Sequence, residues 1–158
     1  MDTHIRVRGL NAFYGKQQAL KDVNIEIPKK QVTVIMGPSG CGKSTLLKTL
    51  NRFLELTDDT RISGEVLVDE QDIYASDVDV TEVRKRVGLL AQRPSPLPMS
   101  IYENVVYGMQ IHQMHKDRTS YKQAVRHYLE IAGLWEEVSE RLHDPATSLS
   151  IGQQQRLC

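Results

Sequence analysis

Apolar residues in this chain follow two periods, and the change from one to the other lays out the elements. Ile5 and Val7, then Val23, Ile25 and Ile27, recur at every second position, the spacing of strands with one buried face. They predict strands over 4–9 and 22–27 around a turn-like segment, Asn11–Lys16. Gln31-Val32-Thr33-Val34-Ile35-Met36 is a β-branched run that predicts a buried strand. Leu46, Leu47, Leu50, Phe53 and Leu54 then return at helical spacing and predict an amphipathic helix. A short strand over 64–68 and a short helix near 79–86 follow. Val87-Gly88-Leu89-Leu90 predicts a second buried strand, ending at Ala91-Gln92. Pro94, Pro96 and Pro98 make a stiff, non-helical connector after it.

Beyond the connector the period is helical. Ser100 and Glu103 have capping-box spacing, so a helix starts there and runs towards Gly108 or a little beyond. Tyr121, Ala124, Val125, Tyr128, Leu129 and Ala132 give a one-faced helix that Gly133 stops. A short helix over Trp135–Leu142 follows. The order predicts an α/β segment over about 1–99, a mainly helical one over about 100–150, and a separate motif at 149–158.

Composition narrows the class. A length of 158 residues, 40% hydrophobic and 25% charged, suits one soluble domain with a real core. Twenty basic residues balance twenty acidic ones, which argues against nucleic acid as a partner. No apolar run approaches the roughly 18 residues of a membrane span. The N-terminus, with Asp2, His4, Arg6 and Arg8, lacks a signal-peptide core. Cys41 and Cys158 are too few for a disulfide framework. A cytoplasmic chain is expected.

The chemistry is concentrated in Gly37-Pro38-Ser39-Gly40-Cys41-Gly42-Lys43-Ser44, which fits G-x-x-x-x-G-K-[ST]. Its glycines let the backbone turn tightly and approach an anion closely. The loop N–H groups converge at a helix N-terminus, where the macrodipole also favours negative charge. Lys43 is placed to reach β- and γ-phosphates and Ser44 to hold Mg²⁺. A second motif, Leu149-Ser150-Ile151-Gly152-Gln153-Gln154-Gln155-Arg156, opens with a capping box of Ser150 and Gln153. Its helix N-terminus, with a serine hydroxyl and a glycine N–H, is a second place for an anion.

Together the two motifs resemble the ATP-binding subunits of ABC transporters. In that family, L-S-G-G-Q of one subunit closes on the nucleotide held by the phosphate loop of the other. Ile151 departs from the usual glycine; a β-branched residue disfavours positive φ, so its backbone must stay in an ordinary region. Ser150 and Gly152, which carry the family's phosphate contacts, are present. Tyr14, before Gly15, matches the aromatic that stacks on adenine, and Gln92 the glutamine that touches Mg²⁺ and the attacking water. The run Gln92-Arg93-Pro94-Ser95-Pro96-Leu97-Pro98-Met99-Ser100-Ile101-Tyr102-Glu103-Asn104 looks like that of bacterial phosphate-import ATPases.

The resemblance implies an α/β P-loop NTPase (ABC ATPase) core with an antiparallel β subdomain and a helical subdomain, incomplete at its C-terminus. The implied ligands are ATP and Mg²⁺. Tyr14, the loop Gly37–Ser44, Thr45, Gln92, Ser150, Gly152 and Gln153 would bind nucleotide, with Ser44 and Gln92 at the metal. Implied partners are a second copy, transmembrane permease subunits and, indirectly, a phosphate-binding protein, at the cytoplasmic face of the plasma (inner) membrane. The family's catalytic Asp-Glu and switch histidine follow the second motif, whereas this chain stops at Cys158. By itself it is therefore expected to be inactive, although the complete protein would be an ATP hydrolase. Val66-Leu67-Val68-Asp69-Glu70 imitates the missing strand, but its place in the order makes it a plain strand end. His112 and His115, with Asp117 and His127 nearby, read as a solvated face, as does Arg84-Lys85-Arg86. An ABC importer for another substrate, or a non-transport ABC ATPase, is the alternative.

Overall fold

A computed structural model describes residues 2–112 and 118–158, in two units, Met1–Leu89 and Leu90–Cys158. The first unit is built on an antiparallel sheet of order β2-β1-β3-β4. Its strands are β1 (Thr3–Tyr14), β2 (Gln17–Pro28), β3 (Thr60–Val68) and β4 (Gln71–Asp72). The Asn11–Lys16 segment is not a turn. β1 continues through it, pairing Tyr14 with Gln17, so only Gly15 and Lys16 reverse the chain. Asn11 and Ala12 hold the strand on its other edge as well, opposite Ser63 and Ile62 of β3. The β1–β3 register shifts between Arg8 and Asn11, and Gly64 lies opposite this irregularity. A Cβ on Gly64 would stand 2.4 Å from the Gly9 carbonyl oxygen, so the close approach requires glycine there.

The alternating residues Ile5, Val7, Leu10 and Ala12 of β1 and Val66 and Val68 of β3 form one side of the core. Helix α1 (Lys43–Leu50) covers it with Leu46 and Leu50, and Leu54, Ile73 and Val83 complete it. The helix is shorter than its apolar spacing predicts. Arg52 takes a left-handed φ of 59°, which ends the helical path. Leu54 then packs from a short 3₁₀ turn, and Phe53 stays exposed. Helix α2 (Val80–Arg86) starts where Asp79 accepts a bond from the Thr81 N–H at 2.8 Å.

Two predicted strands do not form. Residues 31–36 and 87–90 are in no ladder. Val32, Val34 and Met36 are 93%, 69% and 86% exposed, and of this run Ile35 packs on the core. β-branching favours a strand only where a neighbour supplies hydrogen bonds and a packing surface. The sheet's edges, β2 and β4, pair with neither segment.

The second unit is helical, as its period predicts. Helix α3 (Ile101–Ile111) begins at the full capping box: Glu103 N–H donates to Ser100 Oγ at 3.2 Å and Ser100 N–H to Glu103 Oε2 at 2.8 Å. Helices α4 (Arg118–Ile131), α5 (Trp135–Val138) and α6 (Ile151–Leu157) follow. Ile101, Val106, Met109, Val125, Leu129, Leu134, Val138 and Leu149 meet in its core. Helix α5 stops well before Leu142, because the chain beyond Val138 tightens into turns such as Arg141 N–H to Val138 O. Asn104 clamps the proline connector: its Oδ1 accepts from Leu97 N–H and its Nδ2 donates to the carbonyls of Leu97, Met99 and Ser100.

Candidate functional site

Helix α1 begins at Lys43, after Gly42 with φ of 100°, and no side chain caps it. The first-turn N–H groups of such a helix have no intrahelical partner. A Cβ on Gly42 would lie 2.8 Å from the Ala19 carbonyl oxygen and from Leu20 Cδ2, so only glycine lets the loop pass β2 here. Sequence thus dictates both the sharp entry and the uncapped end.

Over that end lies a cavity of about 550 Å³. Tyr14, Gln17, Gln18 and Ala19 of the β1–β2 hairpin form one wall, and Ser39, Gly40, Cys41, Gly42, Lys43, Ser44 and Thr45 the other. The Tyr14 hydroxyl is 3.3 Å from Thr45 Oγ1, which ties the aromatic wall to the helix. No carboxylate is among these lining residues. Gly37 and Pro38 act from outside the cavity: their carbonyls accept from Lys43 Nζ at 2.8 and 2.6 Å. The ammonium is thus folded onto its own loop. The Ser44 hydroxyl is exposed and has no protein partner among the described residues.

These groups fit a nucleotide with its metal. Uncapped N–H groups and an ammonium suit a polyphosphate, a free serine hydroxyl suits a hard cation, and an aromatic wall suits a base. Gln17, Gln18 and Ala19 were not legible as wall residues. No pattern in the sequence marked them: the hairpin register that sets Gln17 opposite Tyr14 is seen only in the structure.

The remaining predicted residues lie in the second unit. Gln92 is exposed and sits in no regular element; its carbonyl accepts from Gln155 Nε2 at 3.4 Å. Ser150 caps α6 with the predicted box: Gln153 N–H donates to its Oγ at 3.3 Å, and its own N–H donates to Gln153 Oε1 at 2.9 Å. Ile151 opens the helix in ordinary backbone, 71% exposed. Gly152 has open space around its Cα. The Gln153 Nε2 donates to Glu137 Oε2 at 2.7 Å, a partner that sequence reasoning missed.

Asp69 and Glu70 stand in the β3–β4 turn with left-handed φ values of 48° and 64°. Asp69 meets His4 at 3.0 Å, Lys29 at 3.1 Å and Arg86 at 3.0 Å; Glu70 meets Arg6 at 3.0 Å. The His4 hydrogen bond, then that of Lys29, holds the Asp69 carboxyl far below the usual carboxylate range. This pair ties strands together. His112 caps the C-terminal end of α3, while His115 and Asp117 lie outside the described residues. Among the described residues no three His, Cys, Asp or Glu side chains gather as a metal cluster, and no helix is long and apolar enough to cross a membrane.

Residues 20–158 match the family model described as ABC transporter. Among solved structures, the chain is similar to cbiO1 from Clostridium perfringens, part of the ABC transporter complex cbiONQ. The TM-score is 0.76 at 30% identity, over 99% of this chain and 59% of that one. It is also similar in fold to a bacterial Atm1-family ABC exporter with ATP bound. There the TM-score is 0.79 at 24% identity, over 99% of this chain and 26% of that one. The chain thus spans less than two thirds of the length of either structure.

Proposed function

The chain belongs to the ABC transporter family as an ATP-binding domain, and on that premise we propose that it serves an importer of inorganic phosphate. What carries the nucleotide part is the cavity between Tyr14 and the uncapped start of α1. Tyr14 would stack on the adenine. The N–H groups of the loop and first turn would take the phosphates, with Lys43 released from Gly37 and Pro38 to join them. Ser44 and Gln92 would hold Mg²⁺, which when bound neutralises charge on the transferring phosphoryl group. Ser150 and Gly152 would close on the nucleotide of a second copy.

Phosphate as cargo rests on the proline connector from Gln92 to Asn104 and on its resemblance to phosphate-import ATPases. Another importer cargo is the second reading, favoured by the 30% identity to a component of cbiONQ. Permease partners and a peripheral place on the inner membrane follow from the importer proposal. Residues that supply the general base in the family are not among these 158. Such a base contributes roughly 10²–10⁴-fold to the rate, and the family's Mg²⁺-side Asp, which supports binding, is not among these residues either. The isolated chain should therefore bind MgATP weakly without turnover.

Titration with a fluorescent ATP analogue tests the nucleotide site. Lys43→Ala should weaken binding at least about tenfold, as expected for loss of a charge-assisted phosphate contact; equal affinities would overturn the assignment. Phosphate release by purified 1–158 that persists on repurification yet vanishes in Lys43→Ala would refute the inactivity. Radiolabelled phosphate uptake in cells with the parent gene deleted tests the cargo, and unchanged uptake would favour the second reading.

A further inference from the structure

The side-chain amide of Gln153 is held from two sides. Its oxygen accepts from Ser150 N–H at 2.9 Å and its nitrogen donates to Glu137 Oε2 at 2.7 Å. Turning the amide over would set NH₂ against an N–H and oxygen against a carboxylate, so one orientation satisfies both neighbours. The other oxygen of Glu137 takes Arg156 Nη2 at 2.7 Å, and Arg156 Nη1 donates to the Gly133 carbonyl beyond α4. One carboxylate on α5 therefore grips the first turn of α6 and its last.

The Gln153 bond, and after it Arg156, holds the Glu137 carboxyl below its ordinary range. Glu137 and Arg156 are 41% and 37% exposed, and pairs that wet add little to stability. Orientation is what the network supplies. Ser150 Oγ already accepts from Gln153 N–H, which leaves its own hydrogen to donate elsewhere. Without Glu137 the amide is free to turn, and the Ser150 N–H then loses its acceptor.

We infer that Glu137 is a positioning residue, which fixes the Gln153 amide and through it the Ser150 backbone N–H, and so the cap that carries the serine hydroxyl, for ATP-dependent closure. This rests on the closure proposed above.

The test uses the intact ATPase subunit assembled with its permease, comparing Glu137→Ala, Glu137→Gln and Ser150→Arg. Glu137→Ala should lower kcat about tenfold, within the range for a misplaced reacting group, while KM and nucleotide affinity stay within about twofold. Glu137→Gln keeps an acceptor for Gln153 but sets an NH₂ against Arg156, losing that ion pair with the charge. Because the Gln153 bond is kept, it should retain about a third of kcat or more. A nitrogen-15 NMR spectrum of each variant should show the Gln153 side-chain amide shifted in Glu137→Ala. Full turnover by Glu137→Ala, with Ser150→Arg inactive, overturns the role of Glu137 and leaves closure standing. An active Ser150→Arg overturns closure itself. If both Glu137 variants lose kcat, KM and thermal stability together, the residue is structural only and the inference fails.

Discussion

Tyr14, Gly42 and Lys43 show how single residues shape the cavity. Tyr14 presents its ring to the space while its hydroxyl reaches Thr45. Base–aromatic stacking is worth roughly 1–3 kcal/mol, so Tyr14→Ala should weaken ATP-analogue binding by about that much and Tyr14→Trp should be tolerated. Equal affinity of wild type and Tyr14→Ala would remove the stacking role. Gly42 combines a left-handed φ with backbone contact to Ala19. Strain of this kind costs about 1–3 kcal/mol. Gly42→Ala should therefore lower the melting temperature of the chain as well as nucleotide affinity, read by calorimetry and titration on one preparation.

At the scale of elements, short polar devices decide where helices and connectors begin. The box at Ser100 starts α3 and also sets the exit from the proline connector, which Asn104 clamps with four hydrogen bonds. Replacing an N-cap serine by alanine typically costs about 0.5–2 kcal/mol; Ser100→Ala should fall in that range by urea denaturation. On the sheet, Asp69 joins the turn after β3 to His4 of β1, Lys29 beyond β2 and Arg86 of α2. Its carboxyl is depressed in the folded state. The stability it contributes is therefore complete above the unfolded carboxylate range near about 3.9 and is lost as pH falls towards its folded value. Asp69→Asn should lower the melting temperature at neutral pH and flatten the acid limb of its pH dependence. An unchanged acid limb would show that the network does not drive it.

Across the whole molecule, the first unit carries a bare apolar run. Ile35 packs inward while Val32, Val34 and Met36 point to solvent, the pattern of a segment buried on both faces once a neighbouring layer is present. An unpaired, exposed β-branched run is an aggregation hazard. Val32→Lys with Val34→Lys should reduce light scattering by concentrated 1–158, with each change within about 0.5 kcal/mol of neutral, as for other exposed sites. Undiminished scattering would place the association elsewhere.

The sequence by itself determined the local features. The phosphate-loop spacing, both capping boxes, the one-faced helix ending at Gly133 and the decoy character of Asp69-Glu70 were legible, because each depends on residues within a turn or two of one another. Helix lengths were less so: Arg52 breaks α1 through a backbone angle that no residue pattern announces. Only the tertiary structure decided that Tyr14 faces Thr45, that Gln17 and Gln18 wall the cavity, and that Glu137 reaches Gln153. Tertiary structure also decided that 31–36 and 87–90 form no strand. Apolar, β-branched residues record a preference for a pleated, buried surface, but a strand exists only where another backbone supplies its ladder, and that partner is a property of the assembled chain rather than of the segment.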